Sequence, residues 1–442
     1  MIATEIETYR EQHAAFQRKS SPEWLVELRQ KGLDAFTRLG LPTKRLEDWR
    51  FTNVSPLTAN PYELSSLTSS DNEIVGDEIN ALVQQATLDE SYHRLVFING
   101  RYCEESSLLH DVSSGVIIDN LASVIRSRAN EVREQLSGGL DFDESVFAAL
   151  NTAFIDDGAF IDIPDGVASD RPVHLVFLST GSSRTVSHPR NLIRLGKGST
   201  ANVIESYLGN GDVYFTNSIT QITLDESAEL DHHKLQHEQI GALHIAMTRV
   251  DQRTSSHFRS HYFSFGGSLA RNELDCVLDG ERIETTLNGL YMPKGEQLMD
   301  CRTRIDHAKP NGNSHELYKG ILDDKSKGVF NGKIFVRQDA QKTDAKQSNQ
   351  ALLLSDDASV NTKPQLEIYA DDVRCTHGAT IGELEEDALY YLRSRGIPID
   401  FARKLLIFAF ANDVVQGVEL AAVRRHLESL LLSGHELSED IL

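Results

Sequence analysis

Apolar residues in the first forty positions, Ile6, Tyr9 and Phe16 followed by Leu25, Leu28, Ala35, Phe36 and Leu39, recur at helical rather than alternating spacing. They predict two amphipathic helices. Ser20-Ser21-Pro22 lies between them, with a serine suited to an N-cap and the proline suited to the first turn. From Pro56 to about Ser91 the chain is polar and reads as loop with one short helix, a domain margin. The run Leu95-Val96-Phe97-Ile98 then predicts a strand closing in an Asn99-Gly100 tight turn. One helical stretch, about Ile118 to Leu136, precedes a long region from Phe154 to Gly382 of short alternating segments with frequent glycine and no amphipathic helix. After Gly382 the period is helical again: Leu384, Ala388, Tyr391 and Leu392 form one stripe, Gly396-Ile397-Pro398 breaks it, and Phe401, Leu405, Phe408 and Ala409 form the next. A third stripe runs through Leu420, Val423, Leu427, Leu430 and Leu431. The pattern divides the chain into an N-terminal helical region (1–90), a β core (91–382) and a C-terminal helical region (383–442). The last is more apolar than a lone surface helix requires, so it covers the end of the core or docks a partner.

The β core carries a loose repeat. An apolar residue followed by small or acidic residues recurs at Leu195, Leu224, Phe265, Leu278, Leu322 and Leu354, spaced 29, 41, 13, 44 and 32 residues apart. Unequal successive coils account for that spacing, and an irregular β-solenoid, in which each coil buries its inward face on the next, is the expected fold. A β-sandwich is the competing architecture, since short strands and turns suit it too.

Composition narrows the function. With 44 Lys+Arg against 66 Asp+Glu, the formal net charge of −22 repels phosphate backbones and anionic lipid headgroups, so neither nucleic acid nor membrane is an expected partner. The longest strongly apolar run, Leu405 to Ala411, is far short of the roughly 20 residues of a bilayer span. No basic and apolar leader opens the chain, and the cytoplasm is the expected compartment. Four cysteines, Cys103, Cys276, Cys301 and Cys375, form neither a disulfide framework nor a CxxC site.

Two clusters could carry chemistry. In a strand, Cys375 and His377 of Asp371-Asp372-Val373-Arg374-Cys375-Thr376-His377-Gly378 share a face about 7 Å apart, a thiol and an imidazole suited to iron or zinc, with Arg374 near enough to favour the thiolate. Equally, Cys375 is a small buried hydrophobe and His377 a hydrogen-bonded surface residue, because two ligands do not complete a metal site. In Asp231-His232-His233-Lys234-Leu235-Gln236-His237 the residues Asp231, His233 and His237 share a face and would make a simple metal site; an ordinary strand with solvated or hydrogen-bonded polar residues is the plainer alternative. Cys276 and Cys301 read as structural. Walker A, GxSxG, HExxH and GxGxxG motifs are absent. The pairs Asp323/Asp324 and Asp356/Asp357 would suit a free-standing β-helix enzyme acting on glycans, although their place at the repeated turns favours turn chemistry.

Several segments together resemble the SufB/SufD family of scaffold subunits in SUF iron–sulfur cluster assembly, on its SufD side. They are Thr285-Thr286-Leu287-Asn288-Gly289-Leu290-Tyr291, His315-Glu316-Leu317-Tyr318-Lys319-Gly320, Phe330-Asn331-Gly332-Lys333-Ile334, Gln341-Lys342-Thr343-Asp344-Ala345, Asp371 to Gly382, and Tyr391 to Ile397. In the N-terminal half the markers are Gly40-Leu41-Pro42-Thr43 and Glu47-Asp48-Trp49-Arg50-Phe51-Thr52. The resemblance implies a mainly β fold, a right-handed parallel β-helix between N- and C-terminal helical regions. It implies a non-catalytic role: pairing with SufB, or self-pairing when the chain is expressed alone, and docking of the ATPase SufC, which would bind the ATP. His377 and Cys375 map onto the junction with SufB and the nascent, shared cluster. Glu383 to Val415 maps onto the SufC-docking region, with Leu384, Tyr391, Leu392, Ile397, Phe401, Leu405 and Phe408 as its apolar positions. A [4Fe–4S] cluster normally takes four protein thiolates, so any cluster here must be shared.

Overall fold

The computed structural model describes residues 2–17, 21–59, 62–65, 75–137, 142–181 and 184–433. Two parallel sheets wind through eight coils. Sheet A stacks Ala159–Ile163, Arg190–Leu195, Tyr214–Leu224, Leu243–Gln252, Leu269–Leu278, Leu298–His307, Lys327–Val336 and Ser359–Ile368. Sheet B stacks Val173–Ser179, Thr200–Gly209, Glu229–Gln236, His257–Ser264, Glu284–Tyr291, Asn313–Leu322, Asp344–Leu353 and Arg374–Gly382. This is the expected parallel β-helix between helical regions; the wholly parallel pairing of these coils excludes a sandwich of antiparallel sheets.

Alternation explains why the coils stack. On sheet A the inward column Ile161, Ile193, Ile222, Val250, Cys276, Ile305, Ile334 and Leu366 stays in register from first coil to last. β-Branched side chains suit this half-buried pleat, and each coil covers its row only by lying on the next. Cys276 is fully buried in that column and burial pushes its thiol far up, so it is structural, as its alternating context indicates. Flanking it on the outer face, Asp275 accepts from Arg249 at 2.5 Å and lies 3.5 Å from Arg304, a ladder of alternating charge across three coils.

Residues in register lie 26 to 32 positions apart. The uneven repeat in the sequence mixes two series: Leu195, Leu224 and Leu278 end sheet A strands, whereas Leu322 ends a sheet B strand and Phe265 and Leu354 each follow the last residue of one. Asp323 and Asp324 do the turn chemistry expected of them, Asp323 Oδ1 accepting from the Asp324 amide at 2.8 Å and Asp324 Oδ2 from Gly295 at 2.9 Å.

The two ends differ. At the start, Ile117–Asn120 pairs antiparallel with the first strand of sheet A, and the hairpin His93–Ile98/Arg101–Leu108 ends sheet B, its Asn99 and Gly100 at φ 50 and 81 as an Asn-Gly turn demands. At the other end, among the described residues, no strand pairs beyond Ser359–Ile368 or Arg374–Gly382.

The N-terminal helices Ile2–Phe16 and Glu23–Leu39 fall where the periodicity puts them. Pro22, not a serine, holds the N-cap of the second, while the Ser21 hydroxyl instead accepts from Arg29 at 2.9 Å; Ser20 lies outside the described residues. The C-terminal helices are Glu386–Ser394, Ile399–Val415 and Ala421–Ser433. Ile407, Ala411, Val414 and Val415 bury against Leu235, Phe263, Leu290 and Ile321 on the outer side of sheet B. This apolar surface therefore covers a flank of the solenoid rather than its end. No helix among the described residues is long and apolar enough to cross a membrane.

Candidate functional site

Arg374–Gly382 pairs with Asp344–Leu353 in the register Ala345 to Cys375 and Gln347 to His377. Cys375, His377, Ala379 and Ile381 therefore continue the inward columns of sheet B. In every earlier coil such a row is roofed by the next. Here it becomes the surface: Ile381 is 52% exposed, His377 is exposed and Cys375 half-buried. The strand thus brings the two expected site residues together on the uncovered end.

Cys375 packs beside Ala345 and Ile334, and burial pushes its thiol up. Arg374, adjacent in sequence, alternates to the opposite face. The expectation that Arg374 favours the thiolate is not met, because alternation separates the charge from the sulfur.

Below this surface the columns turn polar, which the sequence reading missed. Gln347 lies directly under His377, only 3% exposed, its Nε2 donating to Glu316 Oε2 at 2.6 Å. Asn349 lies under Ala379, its Nδ2 donating to the Tyr318 carbonyl at 3.2 Å. Burial pushes the Glu316 carboxyl up to about 7. The available signal was parity: Glu316 and Gln347 occupy the same inward column as Leu287.

Deeper still, Glu205 accepts from the Tyr207 hydroxyl at 2.6 Å and the Thr220 hydroxyl at 2.7 Å, and its carboxylate lies 2.9 Å from His232 Nε2. Burial alone would raise this carboxyl, but Lys234 at 4.0 Å and His232 outweigh it and hold it at about 2. The polar side chains from Asp231 to Gln236 are thus buried on both faces, not solvated: the interior takes His232 and Lys234, and the C-terminal helices cover the other side.

The second metal reading fails on geometry. His233 stacks on His261 with centroids 5.1 Å apart, Asp231 is engaged by Arg259 at 2.5 Å, and His237 lies beyond the end of the strand. Among the described residues no group of three or more His, Cys, Asp or Glu side chains is disposed to hold a metal ion.

Of the apolar positions in the C-terminal region, Tyr391 is 57% exposed beside Tyr390 at 75%. Leu384, Leu392, Ile397, Phe401, Leu405 and Phe408 are half-buried. The helix Glu386–Ser394 buries none of its residues. A cleft of about 640 Å³ opens beside it, lined by Leu384, Leu389, Arg403, Lys404 and Ile407.

A parallel β-solenoid bordered by antiparallel strands at one end, unpaired at the other among the described residues and flanked by helices is the class of protein these elements define. Comparison with known proteins is specific. The description "SUF system FeS cluster assembly, SufBD core domain" matches residues 177–410, and "SufBD protein N-terminal region" matches residues 3–175. The chain belongs to the SufBD family of SUF iron–sulfur cluster assembly proteins. It is 34% identical to the iron–sulfur cluster assembly protein SufD of Escherichia coli, with 88% of each chain covered. It is 34% identical to a SufBD family protein of Synechocystis, covering 91% of this chain and 89% of that one, and 26% identical to SufD of Bacillus subtilis, covering 97% and 98%.

Proposed function

We propose that this chain is a non-catalytic scaffold subunit of SUF cluster assembly, pairing end to end with a SufB subunit so that a nascent iron–sulfur cluster, the cargo of the machinery, is held between them. The observation that carries this reading is the uncapped eighth coil, which presents His377 and Cys375 on an exposed inward row. An unpaired sheet edge is a template for another chain. The Arg374–Gly382 edge is uninterrupted by proline, whereas Pro364 removes a donor from the neighbouring Ser359–Ile368 edge. A partner strand is therefore best accommodated on the sheet B side, next to His377. Two side chains do not hold a cluster, so the remaining ligands come from the partner.

The SufC ATPase docks in this reading on the C-terminal helices through Leu384, Tyr391, Leu392, Ile397, Phe401, Leu405 and Phe408, and ATP binds there rather than here. The unburied helix Glu386–Ser394 supports this placement.

Co-expression with SufB and SufC, followed by native mass measurement, tests the assembly. Recovery of one SufB with two SufC subunits on this chain supports it; a lone monomer with both partners folded overturns it. In the recovered complex, His377→Ala lowers cluster maturation while leaving assembly intact, and unchanged maturation removes His377 from the site.

A further inference from the structure

Two carboxamides under the open end share an arrangement that no structural need of the solenoid explains. Gln347 spends its amide on Glu316 and Asn349 spends its amide on the Tyr318 carbonyl, each one coil below. Gln347 Oε1 and Asn349 Oδ1 are both buried and have no hydrogen-bond partner among the described residues. A buried acceptor left unpaired is costly, so Gln347, which orients its donor downward and strands its acceptor, calls for a donor from above. In the Gln347 column the residue above is His377, in register and exposed. Space for the Gln347 amide is made by Gly332 on the facing sheet, where a Cβ would lie 2.2 Å from Nε2.

We propose that Gln347 is the positioning residue of His377: its Oε1 accepts the N–H of one imidazole nitrogen, which selects the tautomer and leaves the other nitrogen directed out of the open end as a ligand. Ligating histidines characteristically donate their second N–H to a carbonyl or carboxylate, and the partner fixes ring orientation as well as tautomer. Glu316 acts one step further back. By holding the amide nitrogen it keeps the carbonyl oxygen on the other side of the carboxamide. The inference rests on the proposed role of His377 only for its effect on maturation; the hydrogen bond stands or falls by itself.

The test uses the full chain labelled with ¹⁵N-histidine, reading the ring nitrogens of His377 by NMR, its signals assigned by their loss in His377→Ala. The native chain shows the separated nitrogen shifts of a single tautomer. Gln347→Met, similar in size but lacking the acceptor, moves them to the averaged values of a free imidazole, and Gln347→Glu, which restores an acceptor, restores the separation. Unchanged ring shifts in a folded Gln347→Met chain overturn the proposal. Should that variant not fold, Gly332→Ala displaces the same amide and must produce the same collapse. In the co-expressed complex Gln347→Met lowers maturation as His377→Ala does. Normal maturation with Gln347→Met beside a defective His377→Ala overturns the positioning role alone, whereas normal maturation with His377→Ala overturns the site reading itself.

Discussion

The guanidinium of Arg271 lies over the ring of Trp49, 3.6 Å from its centroid, although 222 positions separate them in the chain. Arg271 is fully buried and donates to the Asp48 carbonyl at 2.9 Å and to Asp300 Oδ2 at 2.7 Å. The Thr52 hydroxyl donates to the same carboxylate at 2.5 Å, and Arg302 donates to Asp48 Oδ1 at 2.9 Å. The segment Glu47 to Thr52 is therefore a clamp that fastens the N-terminal helical region to the outer face of sheet A.

Removing the ring should open that clamp. Trp49 also packs on Phe147, with centroids 5.3 Å apart, so Trp49→Ala combines a cavity with the loss of a cation–π contact that shields a buried charge. Burial of this size predicts a cost of about 3–5 kcal/mol. Hydrogen exchange should show the loss first in Glu23–Leu39 and Val146–Ala153, before the coils of the solenoid. Uniform loss of protection across the solenoid would mean that the segment is integral to the core instead.

A second relationship explains two motifs at once. Gly289 is in register with Tyr318, and Tyr291 with Gly320, so on two successive coils each tyrosine lies across the other's glycine. A Cβ on Gly289 would come within 2.2 Å of the Tyr318 ring, and one on Gly320 within 2.4 Å of the Tyr291 ring. Gly289→Ala and Gly320→Ala should each destabilise the chain by about 1–3 kcal/mol through overpacking. Urea unfolding measures this. Gly378→Ala, where nothing lies within 4 Å, is the control that should leave the midpoint unchanged.

The motif Asn-Gly-Leu-Tyr was visible in the sequence, but its partner lies a coil away and a single strand does not reveal it. The same limit applies more widely. Helices announced themselves through Leu25, Leu28, Ala35 and Phe36, all buried where the 3.6-residue period put them. Strand alternation placed Cys375 and His377 on one face correctly. It did not say that the face was inward, or that the coil was the last; those facts depend on which strands lie above and below. The polar interior was illegible for the same reason. His232 and Lys234 look like solvent-facing residues until Glu205, from the preceding coil, is set beside them in register with Lys234.

Glu316 makes the stability of the chain depend on pH in a specific sense. Its carboxyl, raised by burial to about 7 from its ordinary 4.5, binds its proton more tightly folded than unfolded. The stability it contributes is thus complete below pH 4.5 and is lost as pH rises through 7. At about 1.4 kcal/mol per pH unit the shift corresponds to ~3 kcal/mol. Glu316→Gln keeps the shape and an acceptor for Gln347 Nε2 without a charge to bury. Urea midpoints measured from pH 4 to 8 should show the variant gaining on the parent chain as pH rises, by up to that amount. A constant difference across the range would mean that the Glu316 carboxyl binds its proton equally in the folded and unfolded chain.

The four cysteines should separate into two reactivity classes. Cys276 and Cys301 are fully buried in the solenoid, with thiols pushed far up by burial, and should resist iodoacetamide until the chain unfolds. Cys103 and Cys375 are partly exposed and should label in the native chain. Because burial also raises the Cys375 thiol, its labelling should be slower at pH 7 than that of a free cysteine and should accelerate as pH rises. Peptide mass analysis after timed labelling gives each rate separately. The comparison between the chain alone and its complex then bears on the open end: pairing through the eighth coil should abolish labelling of Cys375 while leaving Cys103, on the hairpin at the opposite end of sheet B, as reactive as before. Equal reactivity of Cys375 in both states would show that the partner does not cover this end, and would move the interface elsewhere on the molecule.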